Sequence, residues 1–478
     1  MLNDSLGNPV HLEDPSSLSA VNDFVEGLIA CEARAVNVLS IAGTDRSPIV
    51  QAYSAALHMF SESRDGPSKA RPFIESALGN TAVISAREQN FVAAIHAWVE
   101  GDIARAIRLH EQQAREFPRD LASLKLGQYH LFNQGDAAGM LRMALTVLPH
   151  ASDVAYMHGM AAFGWEQCHL LEQAERAARK AINMSSKEPW AHHALAHVML
   201  TQGRLNEGLR FMQHSSSTWT DLNSFMVTHN WWHLALFALD LGQHDEVLRI
   251  YDQQVWGVVK EYSQDQIGAA SLLARLELAG VDVGERWQDL ADYLQARTRD
   301  HVLPFLDLQY LYGLARAGRP EADVLMANME AFCSTMLTGT KDAKGTAGAM
   351  HDADPRLQIS LQHAPSWAAA DVWRHVCLPA SQGLLAHARG DYPTAVAMLG
   401  TALPRLMEIG GSHAQRDLFD QIHLDALIRS GRFGAAQQAV QPRLNAQPES
   451  VRLKRQATRV YSALGLGNIG GANGMLTP

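Results

Sequence analysis

The sequence predicts an all-α fold, a superhelix of helix–turn–helix repeats (an α-solenoid) with the capacity to close around an internal pocket. Three observations predict it. Apolar residues recur at three- and four-residue steps, as in FVAAIHAWVEGDIARAIRLHEQQA, and such steps put one apolar stripe on each helix. Glycine followed by Asp or Arg interrupts the helical text at Gly101–Asp102, Gly135–Asp136, Gly203–Arg204, Gly390–Asp391 and Gly431–Arg432. A glycine there adopts the left-handed conformation that ends one helix and opens a turn. Five positions after the turn glycine comes a small residue, Ala106, Gly208, Ala395 or Ala436, which lets the second helix approach the first closely. An irregular all-helical domain is the competing reading.

Taken along the chain, residues 1–15 lack helical periodicity and read as an irregular N-terminal segment. Residues 16–464 carry the helical repeats. A proline follows the turn glycine by seventeen in two units, Pro118 and Pro448, and closes the unit. The unit resembles the tetratricopeptide repeat, a helix pair of about 34 residues. Within this region residues 334–356, STMLTGTKDAKGTAGAMHDADPR, are rich in Gly, Asp and Thr and read as a loop insertion, either a lid over the entrance or a surface loop. Residues 465–478 read as a flexible Gly-rich tail. The literal GxGxxG at Gly465, Gly467 and Gly470 has no strand before it and no room for a helix after it, so it is no dinucleotide fingerprint.

Composition narrows the function classes. The 478 residues are 47% apolar, enough for a large core. Lys plus Arg is 40 against 50 for Asp plus Glu, a formal net charge of −10, which argues against a nucleic-acid or anionic-membrane binder. No apolar run reaches the ~18 residues of a membrane span, and no secretory leader is visible in MLNDSLGNPVHLEDPSSL. Cys31, Cys168, Cys333 and Cys377 form no CxxC pair, which fits a reducing cytoplasm better than a disulfide scaffold or a zinc finger. Histidine, at 22 residues, is the outlier. Neutral imidazole is the commonest metal ligand and the usual proton shuttle near neutral pH.

Two helical segments each carry HxxxH: His193 and His197 in WAHHALAHVMLTQGR, and His229 and His233 in THNWWHLALFALDLGQ. An i,i+4 pair lies on one helical face, so both imidazoles of a pair reach toward one point. His193 to His229 and His197 to His233 are both 36 residues, about one repeat. Each segment ends in its turn glycine, Gly203 or Gly242, so each is the first helix of its unit. Successive first helices line the inner wall of a solenoid, and packed axes lie roughly 8–10 Å apart. The four histidines are therefore expected to converge on one pocket and to hold a divalent transition metal, Zn²⁺ first. Packing, or satisfied polar groups in a core, is the alternative for these residues. No HExxH accompanies them, so a zincin protease is not indicated.

A metal hydrolase also needs an acid or base. Glu166 in FGWEQ, Asp307 in FLDLQ and His413 in GGSHAQRD are the catalytic candidates, each with helix capping or a buried ion pair as its structural alternative. Arg416 and Asp417 follow His413 closely and either anchor a carboxylate or phosphate or staple a helix terminus. Trp231 and Trp232 fill the layer between helices or stack on a ligand. There is no GxSxG, no Walker A loop and no recognisable Cys–His nucleophile pattern.

WAHHALAHVMLTQGR, HNWWHLALF, SLLARLELAG and GGSHAQRDLF, in that order, resemble segments of the tetratricopeptide repeat protein 38 family, as does the opening DSLGNPVHLEDPS. The resemblance covers most of the chain, least of all residues 334–356 and the tail. It implies an all-helical repeat fold and no settled reaction. By match of motif, His193, His197, His229, Asn230, His233, Arg275, Asp307, Arg416 and Asp417 fall at family-like positions. Two positions depart. The family pattern near Asp307 often reads D-x-H, and here the third position is Gln309; the family often carries Asp where this chain has Gly268. If those groups complete a family site, this chain has lost part of it and binds without turnover or acts on another ligand.

The expected function is thus a His-rich internal pocket for a metal and a small polar molecule, with Asn230, Trp232, Arg275, Arg416 and Asp417 as ligand-binding candidates and enzymatic activity left open. The alternative is a non-catalytic adaptor that grips a peptide or protein on its concave face. Self-association is a third expectation, with no positive sign beyond apolar content.

Overall fold

The computed structural model describes residues 2–79, 84–341 and 367–467, and among them helix follows helix. The helices are α1 (Leu18–Ala30), α2 (Pro48–Met59), α3 (Gly66–Gly79), α4 (Ala86–Val99), α5 (Ile103–Glu116), α6 (Leu121–Asn133), α7 (Ala137–Val147), α8 (Ala155–Gln167), α9 (Leu171–Met184), α10 (Pro189–Thr201), α11 (Leu205–Ser215) and α12 (Ser224–Asp240). They continue as α13 (His244–Ile250), α14 (Ser263–Leu278), α15 (Arg286–Leu294), α16 (Pro304–Arg316), α17 (Glu321–Lys341), α18 (Trp367–Val372), α19 (Leu378–Ala388), α20 (Tyr392–Ala402), α21 (His413–Arg429), α22 (Phe433–Ala446) and α23 (Val451–Ala463). The fold is an all-α solenoid of helical repeats.

Local chemistry starts and stops these helices. Asp102, Asp120 and Asp136, each just after or near a turn, accept the backbone N–H three residues on and so cap α5, α6 and α7. Ser85 and Ser412 open α4 and α21 with full capping boxes. The small residues five positions after the turn are needed sterically. A Cβ on Gly208 would stand 2.2 Å from the Phe237 ring, and Ala106, Ala395 and Ala436 are fully buried.

The even-numbered helices from α4 to α16 form the inner wall. α10, α12, α14 and α16 are buried over nearly their whole length, and each packs on the next. Their partners are amphipathic and bury a narrow stripe, as α9 does with Ala174, Ala178 and Ala181.

The C-terminal repeats fold back across this wall and close it. Gln447 Nε2 donates to Leu200 O at the end of α10 (2.8 Å), and Ser450 Oγ donates to Asp240 Oδ1 at the end of α12 (2.6 Å). Arg275 Nη2 on α14 donates to Ala414 O on α21 (2.7 Å), and Phe305 on α16 meets Phe419 edge-on at 6.3 Å. Among the described residues no helix is long and apolar enough to cross a membrane, and the four cysteines are free.

Two segments differ from their expected form. The start is a short antiparallel hairpin, β1 (Leu2–Asn3) with β2 (Pro9–Val10), where an irregular segment was expected. Its cause is Asp4, whose buried carboxylate accepts from Leu6 N and Asn8 N and ties the turn. The loop expected at 334–356 begins later, because α17 runs on to Lys341. Cys333 and Met336 are buried in the core there, and Ser334 and Thr335 return their hydroxyl protons to Glu330 O and Phe332 O, so the helix loses nothing by continuing. Residues 342–356 of that loop, and 468–478 of the tail including Gly470, lie outside the described residues.

Candidate metal centre

The inner wall sets the geometry of the site. α10 starts sharply because Pro189 sits in its first turn and the buried Glu188 carboxylate accepts from the backbone N–H of Trp190 and Ala191. α12 starts at Asn223, whose side chain accepts from Met226 N while its own N–H donates to Cys31 O. Both helices are thereby fixed in axial register, and the i,i+4 histidines of each fall at the same height.

His193, His197, His229 and His233 come together. Each offers a ring nitrogen, and the four nitrogens lie within 4.8 Å of one another. His193 Nε2 is 3.1 Å from His197 Nε2 and 3.1 Å from His229 Nε2. Ring centroids run from 4.5 Å for His197–His233 to 4.9 Å for His193–His229. The quartet is dry. His197 and His233 are fully buried and His229, the most exposed, shows 8% of its surface. Phe163 packs on His193 and His197, and Trp232 stacks on His229 at 5.3 Å with the planes 8° apart. His193 Nδ1, His197 Nδ1 and both nitrogens of His233 have no hydrogen-bond partner.

Beyond His197 lies a second group. Glu166 on α8 is fully buried, with Oε2 3.4 Å from His197 Nδ1 and Oε1 bonded to His413 Nε2 at the start of α21. One donor atom each from Glu166, His197 and His413 lies within 4.8 Å of the others. The His169 ring stands 4.8 Å from that of His413.

Burial dominates the electrostatics. It pushes His229 down to about 3, with the neighbouring His197 adding to the shift. His193 and His233 lie well below the ordinary imidazole range, again through burial first and the other imidazoles second. His197 is lowered by burial, against the pull of Glu166. The quartet is therefore neutral at pH 7, the state a metal ligand requires. Burial alone would raise the Glu166 carboxyl, but His197 and His413 override it and hold it well below the usual carboxylate range.

The other expected residues divide. Trp232 touches the quartet through His229 and His233, and its Nε1 lacks a partner. Arg275 lies over the Trp232 ring at 5.5 Å and bolts α21 through the carbonyls of Ala414 and Gln415, with Asp417 3.5 Å away. Asp417 is shared with Arg443 at 2.5 Å and with Gln421 at 2.6 Å. Arg416 donates to Gly410 O and Gly411 O and fixes the loop that carries His413. Asn230 is buried with neither amide atom bonded. Asp307 is not brought to the quartet. It bonds His301 Nδ1 at 2.6 Å, on the side of α16 away from Phe305 and Gln309.

A cavity of about 10 Å³ borders His229 and Trp232, with Gln264, Gly268, Ser271 and Gln309 in its wall. That is room for about one water molecule. Ser271 Oγ lacks a partner, and a Cβ on Gly268 would meet nothing within 4 Å.

Sequence reasoning passed over His169. Gly101, Gly135, His169 and Gly203 follow one another at 34-residue intervals, so His169 occupies a turn-glycine position, and its φ is +56°. An imidazole where the register calls for glycine was the signal that would have found it. Gln264 and Ser271 carried no such mark.

No known family model matches the chain. Among solved structures it is similar to a chain of "Structure of Naa15/Naa10 bound to HypK-THB", at 13% identity and a TM-score of 0.24. The match covers 81% of this chain and 62% of that one, so the chain spans less than two thirds of the solved chain it matches.

Proposed function

We propose that this chain is a metal-binding helical-repeat protein whose buried imidazole quartet holds a divalent transition ion, zinc first, and presents it to a small polar molecule. One observation carries the reading: four neutral imidazoles converge and satisfy one another only in part. A neutral imidazole has one N–H and one lone pair. His193 Nε2 faces two other Nε2 atoms at 3.1 Å, while the far nitrogens of His193 and His197 are orphaned. Buried polar groups left unpaired cost about 1–3 kcal/mol each. An ion at the focus takes the lone pairs and removes the mutual facing of the Nε2 atoms. For Zn–N of ~2.0–2.1 Å, a tetrahedral edge is about 3.3 Å, close to the two 3.1 Å separations at His193. Imidazole donors suit zinc, copper and nickel better than magnesium or calcium.

Of the three acid–base candidates, Glu166 and His413 stand beside the quartet and Asp307 does not. The adaptor reading finds less support, because a peptide laid along this stretch of the inner wall would have to displace α21. The same reading takes the resemblance to the tetratricopeptide repeat protein 38 family as kinship and the helix pairs as tetratricopeptide units. Support for it comes from the two departures from that pattern, Gly268 and Gln309, which both line the cavity at His229. A carboxylate at 268 and an imidazole at 309 would face the quartet, so their loss leaves a binder without the family's full site. The free cysteines fit a cytoplasmic location.

The test is metal analysis on full-length protein purified without a His tag, stripped with a chelator and reloaded. The expected result is at least one equivalent of zinc retained through dialysis and a higher melting temperature. Occupancy at a hundredfold excess over Kd is worth about 2.7 kcal/mol. The double variant His193→Ala/His229→Ala should lose the equivalent held by the quartet and the gain in melting temperature that goes with it. Less than about 0.1 equivalent of zinc, cobalt, nickel or copper, with no shift in melting, refutes the proposal.

A further inference from the structure

The quartet explains one nitrogen of His197 and leaves the other. Its Nε2 faces the quartet at 3.1 Å from His193 Nε2. Its Nδ1 points the opposite way, 3.4 Å from Glu166 Oε2, and makes no hydrogen bond. On that far side Glu166 and His413 supply one carboxylate oxygen and one imidazole nitrogen within 4.8 Å of His197. We infer that the centre has a second metal position, held by Glu166, His413 and His197 Nδ1, so that the His197 imidazole bridges two divalent transition ions. The inference rests on the quartet reading for its first ion.

Several features of the second position go beyond a chance ion pair. Glu166 comes from α8 and His413 from α21, 247 residues apart, so the fold must be closed before the donor set exists. The loop that delivers His413 is rigid. Gly410 and Gly411 have φ of +84° and +76°, Arg416 bonds both of their carbonyls, and the Ser412 cap fixes the first turn of α21. Rigid delivery of this kind is what a metal ligand requires.

His169 stands beside this donor set, against His413. Its backbone takes the left-handed conformation at a turn where the flanking repeats use glycine, which a residue with a Cβ adopts at a cost of about 1–2 kcal/mol. Strain of this sort persists at functional sites. The exposed ring it places 4.8 Å from that of His413 stands at the outer edge of the group.

Charge also favours a second ion. Four neutral imidazoles leave a divalent cation uncompensated, and Glu166 places a carboxylate 3.4 Å from His197 Nδ1. With two ions bound, His197 gives up its remaining N–H proton to solvent and each nitrogen donates one lone pair, so the bridge itself carries a negative charge. On this reading Glu166 and His413 serve as ligands rather than as acid and base.

The test counts ions and then asks whether they communicate. Full-length protein without a tag is stripped and reloaded with Zn²⁺ for elemental analysis, and with Cu²⁺ for electron paramagnetic resonance. About two equivalents are expected in the wild type and about one in Glu166→Gln, in His413→Gln and in the His193→Ala/His229→Ala double variant. Coupling between the copper ions should appear in the wild type and vanish in Glu166→Gln, which keeps the volume of the carboxylate and so the packing. One equivalent in the wild type that survives both Glu166→Gln and His413→Gln overturns the second position and leaves the quartet standing. Two equivalents that survive both variants overturn it as well, because the second ion then lies elsewhere. No metal in any form overturns the quartet and this inference together.

Discussion

Closure of the solenoid should be measurable at a single glycine. Gly203 ends α10 with φ +68°, and Gly431 ends α21 with φ +74°. Alanine at either position must adopt the left-handed conformation, at about 1–2 kcal/mol, partly offset by roughly 0.4–1 kcal/mol from a stiffer unfolded chain. Their surroundings differ. At Gly431 an added Cβ meets nothing within 4 Å. At Gly203 it would lie 2.3 Å from Ala446 O and 3.2 Å from Gln447 Cα, against a floor of 3.0 Å for real contacts. The end of α22 must then retreat by roughly 0.7 Å at the carbonyl, which for backbone in a packed interface costs about 1–3 kcal/mol. That retreat also weakens the bond from Gln447 Nε2 to Leu200 O, worth ~1 kcal/mol. Gly431→Ala should therefore lose about 1 kcal/mol and Gly203→Ala about 3–5 kcal/mol. Urea unfolding of both variants gives the difference. Hydrogen exchange locates it, with faster exchange expected at the C-terminal end of α10 in Gly203→Ala alone. Equal losses in the two variants would show that the contact between α10 and the end of α22 does not hold the ring closed.

Two further outcomes follow from the same geometry. Arg275→Met should destabilise by about 2–4 kcal/mol, below the full cost of a broken buried pair, because Asp417 keeps Arg443 and Gln421; thermal melting checks the size, and Arg275→Lys should fail to restore it, since an ammonium cannot span the carbonyls of Ala414 and Gln415 as a guanidinium does. His110 lies away from the histidine quartet, bonded to Ser123, and burial pushes it down to about 3. The unfolded chain takes up a proton near pH 6.5 and the folded chain does not, so stability is complete above that pH and falls as pH drops toward 3; His110→Asn should flatten a stability-against-pH curve in that window by up to ~1.4 kcal/mol per pH unit, and an unchanged slope would show that His110 is not held neutral.

Much of the centre was legible in the chain. The i,i+4 spacing of His193 with His197 and of His229 with His233 depends only on helix geometry, and the 36-residue offset on repeat geometry, so both survive folding unchanged. Asp307 was misplaced for an equally simple reason. Residues two apart on a helix face opposite ways, so Gln309 reaches the cavity wall while Asp307 turns to His301. The loop expected from 334 begins late because Cys333 and Met336 are buried, which composition does not encode. His169 was readable in principle, since it breaks the 34-residue succession of turn glycines.

By itself the amino-acid order determined what is local and periodic: an all-α chain, helix pairs of one repeated length, turn glycines with small residues behind them, and paired imidazoles in register on neighbouring inner helices. Nearest-neighbour stacking needs no more information than that. Only the tertiary structure decided that the ring shuts, that Glu166 meets His413 across 247 residues, and that Arg275 and Gln447 clamp the seam. Those contacts depend on the small rotation from each repeat to the next, summed over many repeats. No single segment encodes that sum, and it alone determines which distant side chains share a dry interior.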